Sequence, residues 1–61
     1  MPIITIEWLE GRTDDTKRKV AKEFTETLQR EAGSSPEAVS IIFHDLKKCD
    51  LAKAGILFSD K

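Results

Sequence analysis

The chain has 61 residues, one cysteine, one histidine and a formal net charge of -1. A lone cysteine excludes an internal disulfide, one histidine beside it supplies no zinc ligand set, and the balanced charge lacks the footprint of a general nucleic-acid binder. No apolar run approaches the ~18 residues of a membrane span, and the start, Met-Pro-Ile-Ile-Thr-Ile, has neither the basic segment nor the apolar core of a secretory signal, so the reading is no membrane and a cytoplasmic location.

Residues 3–9, Ile-Ile-Thr-Ile-Glu-Trp-Leu, are rich in β-branched and aromatic side chains and read as a strand. Ile4, Ile6 and Trp8 share one face, while Ile3, Thr5, Glu7 and Leu9 share the other. Trp8 reads as core rather than as a stacking surface. Glu10-Gly11 punctuates the strand. A helix is predicted from Asp14 to Ala32. Thr13 is its N-cap, and Asp14 and Asp15 sit at the positive end of the helix dipole. Val20, Ala21, Phe24, Leu28 and Ala32 form an apolar stripe, and Lys17, Arg18, Lys22, Glu23, Glu26 and Arg30 the polar face. Gly33 stops the helix, and Ser34-Ser35-Pro36 makes a turn.

Residues 39–46 read as a second strand, with Val39, Ile41 and Phe43 on one face and Ser40, Ile42 and His44 on the other. A strand, a long helix and a strand predict a right-handed parallel crossover. The tail, residues 47–61, reads as a turn plus a short strand around Ile56-Leu57-Phe58, docked on a neighbour. The predicted class is α+β: a β-α-β protomer, residues 1–61 as one domain, with a short C-terminal hairpin or strand. A two-stranded sheet under one helix is too small to stand alone. A folded monomer of this length buries only about 60% of its open-chain surface, so the reading predicts an oligomer with a shared sheet.

Few residues suggest chemistry. His44 reads as a surface or interface residue, Cys49 as an incidental thiol and Lys47-Lys48 as a solvated pair. Nothing suggests a metal or a cofactor. Pro2 is open to two readings. It is either an incidental residue after Met, or, once Met1 is removed, a free secondary amine. An α-amino group titrates near ~7.7–8.0, well below a lysine, and burial or a nearby cation lowers it further. Such an amine serves as a general base.

Several features together resemble the 4-oxalocrotonate tautomerase family, whose members use an amino-terminal proline. They are Met-Pro-Ile at the start, a first strand ending in Leu9-Glu10-Gly11-Arg12, Thr13-Asp14 opening the helix, and Val39-x-Ile41-Ile42 at the expected distance. The resemblance covers nearly the whole chain. It implies a tautomerase-type two-layer sandwich and a homo-oligomer, a hexamer built as a trimer of dimers. It implies a cofactor-free isomerase for small enol or dienol carboxylic acids, of the kind met in degradation of aromatic compounds. Pro2 matches the catalytic proline, and Arg12 the arginine that grips a substrate carboxylate, as a guanidinium does bidentately. Leu9 matches a pocket position. Ser40 stands where well-characterised members carry a second arginine, and Leu51 where an aromatic residue closes the pocket. A serine donates one neutral hydrogen bond and supplies no charge. The alternative implied by that departure is a weakly active or non-catalytic member that serves as a binding or assembly subunit.

Overall fold

The computed structural model describes all residues, Met1–Lys61. The order is strand β1 (Ile3–Leu9), helix α1 (Asp14–Ala32), strand β2 (Ser40–Leu46) and a hairpin of strands β3 (Ala52–Lys53) and β4 (Ile56–Leu57). Short 3-10 turns at Pro36–Ala38, Lys48–Asp50 and Phe58–Asp60 link or end these elements. No helix is long and apolar enough to cross a membrane.

The helix bounds follow from its caps. The Thr13 hydroxyl accepts the Thr16 N–H at 3.2 Å, and Asp14 and Asp15 lie in the first turn. At the other end Gly33 takes φ 68, a left-handed conformation that costs a glycine little, and its N–H closes on the Leu28 carbonyl. The face turned to the sheet differs in detail from the predicted stripe. Val20, Ala21 and Leu28 are half-buried as expected, but so are Lys17 and Thr25, whereas Phe24 keeps 43% of its surface and Ala32 is exposed. Lys17 stands one turn before Val20 and Ala21. Its aliphatic stem therefore lies along the apolar surface while its ammonium reaches a partner at the rim.

β1 and β2 are parallel, with Ile4 beside Ile41, Ile6 beside Phe43 and Trp8 beside Asp45 under the helix. Ile3 beside Ser40, Thr5 beside Ile42, Glu7 beside His44 and Leu9 beside Leu46 make up the opposite, uncovered face. Val39 precedes the strand rather than belonging to it, because its N–H closes the 3-10 turn on the Pro36 carbonyl.

In the tail the hairpin, one of the two forms expected there, is the one observed, with two strands where the apolar patch alone suggests one. β3 and β4 pair antiparallel, Ala52 with Leu57 and Lys53 with Ile56, around Ala54-Gly55. Both turn residues have positive φ, 54 and 79, the pattern of a tight hairpin turn whose twist matches its strands. Phe58 belongs to the turn after β4, and its N–H returns to the Leu51 carbonyl at 2.9 Å.

The chain is open and flat. Its extents are 43 × 23 × 14 Å and its radius of gyration is 14.7 Å, against about 10.5 Å for a compact chain of this length. The accessible surface is 4720 Å², above the roughly 4,000 Å² expected of a compact monomer this size. No residue is fully buried, and Ile3 and Ile42 on the uncovered sheet face retain 61% and 44% of their surface. An isolated protomer thus has two layers and no closed core.

Candidate active site

Pro2 lies at the head of β1 and is half-buried. Its carbonyl accepts the Ser40 N–H at 3.0 Å, the first bond of the parallel ladder. The ladder fixes the position of the ring because Ser40 is itself locked beside Ile3. Met1 acylates the ring nitrogen in this form and is 86% exposed.

Arg12 lies at the other end of the strand. Gly11 has φ 119, a backbone conformation that side chains rarely adopt, and it turns the chain back toward the sheet. Arg12 Nη1 then donates to the Leu9 carbonyl at 2.8 Å, and Cζ lies 4.6 Å from the centroid of the Trp8 ring, over the indole. Such a cation–π contact is worth about 0.5–1 kcal/mol at an exposed site. Trp8 is itself fixed. Its ring stacks on Phe43 with centroids 5.4 Å apart, and Nε1 donates to Asp45 Oδ1 at 2.6 Å. The second Asp45 oxygen accepts from Lys17 Nζ, also at 2.6 Å. The Lys17 hydrogen bond foremost, then that from Trp8, holds the Asp45 carboxyl below the ordinary carboxylate value against a weaker opposing effect of lost hydration.

These positions divide the candidate residues into two groups. Pro2 and Ser40 meet at one end of the sheet; Leu9 and Arg12 meet at the other. From Pro2 to Trp8, over which the guanidinium lies, the strand spans about 20 Å. Leu51 is half-buried in the tail, its carbonyl engaged by Phe58. The single chain encloses no pocket. His44 is exposed on the uncovered face, with Nδ1 3.4 Å from Glu7 Oε1, and Cys49, Lys47 and Lys48 are exposed in the linker after β2.

The reading of Trp8 as core is half of the outcome. The indole does pack inward on Phe43, and it also carries the guanidinium. Asp45 has no place in the sequence-based expectations, and Lys17 enters them only as part of the polar helix face. One signal was available for Asp45: it follows Ile41 and Phe43 at strand period, so a carboxylate falls on the face turned to the helix and requires partners there.

The Tautomerase family, described as tautomerase enzyme, matches residues 2–61. The chain belongs to this tautomerase family. A protein named Probable tautomerase, from Ralstonia nicotianae, is 36% identical over 61 residues, which is 100% of this chain and 94% of that protein. The 2-hydroxymuconate tautomerase of Bacillus subtilis is 37% identical over 60 residues, 98% of this chain and 97% of that protein. A crystal structure of a 4-oxalocrotonate tautomerase homologue superposes with a TM-score of 0.94 at 34% identity, covering 100% of this chain and 97% of that one. The β-α-β fold is therefore that of the tautomerases, and family membership supports isomerase activity for this chain.

Proposed function

We propose that this tautomerase interconverts enol and keto forms of small 2-hydroxydienoate or enol carboxylic acids, without a cofactor, in a site assembled between copies of the chain. Removal of Met1 is the first requirement, since the nitrogen of Pro2 within a tertiary amide is not a base. The freed amine takes the proton from the substrate hydroxyl, the oxygen becomes a carbonyl, and the amine returns the proton to a carbon of the conjugated system. No atoms are gained or lost. Arg12 of a second copy grips the carboxylate and stabilises the charge that develops as the proton moves. Leu9 and Leu51 line the pocket, and Ser40, beside Pro2, donates to the oxygen end.

The observation that supports an intersubunit site is the separation of Pro2 from Arg12 by about 20 Å of strand, too far for one small acid. The open protomer supports oligomerisation, and the reading takes the hexamer, a trimer of dimers, as the assembly. A neutral serine at position 40 favours substrates with one carboxylate over those with two.

The test begins with intact mass, to establish loss of Met1. Tautomerisation of 2-hydroxymuconate and phenylenolpyruvate is then followed by ultraviolet absorbance. The expected result is turnover of both, with the monocarboxylate favoured, and a fall in kcat of about 100-fold or more in Pro2→Gly. Equal activity of wild type and Pro2→Gly overturns the proline mechanism. A processed oligomer that turns over neither compound favours the assembly-subunit reading instead.

A further inference from the structure

We infer that Trp8 is a positioning residue for Arg12: the indole, fixed by Asp45, Lys17 and Phe43, holds the guanidinium ready for a carboxylate. This rests on the reading of Arg12 as the carboxylate grip. A guanidinium carries five N–H donors. One is used on the Leu9 carbonyl and the face is used on Trp8, so the remaining donors stay available in the plane of the group. An arginine on an exposed turn would otherwise sample many rotamers, and binding a substrate would have to order it. Here that ordering is already done by the fold.

The chain of contacts shows where the rigidity comes from. Trp8 and Asp45 are register partners on neighbouring strands, so the Nε1–Oδ1 bond is anchored at both ends by the ladder. Lys17, from the first turns of α1, holds the other oxygen of Asp45 and ties the clamp to the helix. Arg12 lies in the connection between that strand and that helix, above the ring they fix. Phe43 supports the indole from within the sheet layer.

The test is a four-corner cycle in processed protein: wild type, Trp8→Leu, Arg12→Ala and the double variant, each assayed for KM and kcat with phenylenolpyruvate. Loss of the π face raises KM roughly three- to five-fold in the Arg12 background, with kcat changed less, and has no further effect in the Arg12→Ala background. Trp8→Phe, which keeps an aromatic face, restores KM to within about two-fold of wild type. An unchanged KM in Trp8→Leu, the same rise in both backgrounds, or an equal rise with Phe and Leu overturns the inference alone. An unchanged KM in Arg12→Ala overturns the carboxylate-grip reading, and the inference with it. Should Trp8→Leu fail to assemble, fluorescence decides, because Trp8 is the sole tryptophan. Its emission shifts on Arg12→Ala if the guanidinium lies over the ring, and stays the same if it does not.

Discussion

Replacing Ile42 by lysine tests whether the uncovered sheet face is where the protomers meet. Ile42 keeps 44% of its surface in the single chain. Full burial of an isoleucine is worth about 1.5–3 kcal/mol, so covering the remaining part contributes roughly 0.7–1.3 kcal/mol per protomer. Repeated over the proposed hexamer this reaches about 4–8 kcal/mol, or roughly three to six decades in the assembly constant. A lysine forfeits that gain and adds the cost of removing an ammonium from water, several kcal/mol per ion after relaxation. Sedimentation velocity at micromolar concentration is the assay. Wild type is expected as one large species, and Ile42→Lys as dimer or smaller. Lys19→Ala, on the exposed side of α1, serves as the control and leaves the pattern unchanged. If Ile42→Lys sediments like wild type, the uncovered face is not an interface and the shared core lies elsewhere.

Three further outcomes are expected. Gly11→Ala meets no neighbouring atom, yet it forces a side chain into φ 119; it costs about 1–3 kcal/mol in thermal unfolding and raises KM by displacing Arg12, and an unchanged melting temperature and KM would contradict the turn's role. Ala54→Asn relieves an alanine at φ 54 in the β3–β4 turn and stabilises by about 0.5–1 kcal/mol, seen as a rise of a few degrees in melting temperature. Asp45 has its carboxyl held below the usual value in the folded chain, so the stability it contributes is present above the unfolded value near ~3.9 and is lost as pH falls through the folded one. The difference in melting temperature between wild type and Asp45→Asn is therefore constant above about pH 5 and shrinks in acid. A difference that does not vary with pH would show that the ionised clamp contributes nothing.

Local signals made the framework readable. Alternation in Ile3–Leu9 and in residues 40–46 gave the strands and their inward faces, because side chains point to opposite sides at period two. Thr13 and Gly33 bounded the helix at the residues observed, because capping chemistry acts within one turn. In the tail Gly55 marks the turn, but the positive φ at Ala54 contradicts what its residue type favours, so β3 on the far side of the turn carries no local signal. The charge of Lys17 points to the solvent face, whereas its place one turn before Val20 and Ala21 puts its stem on the apolar side.

The amino-acid order by itself determined the strand-helix-strand succession, the caps, the inward Ile4–Ile6–Trp8 row and the Leu9-Glu10-Gly11-Arg12 stretch that resembles the tautomerases. Each of these depends on neighbours within a turn or two of chain. Only the folded chain decided that Asp45 clamps Trp8 across 37 positions and that Arg12 lies over the indole. Those relations arise from parallel register and from the return of the chain at Gly11, and no short-range pattern encodes the pairing of two strands separated by a helix.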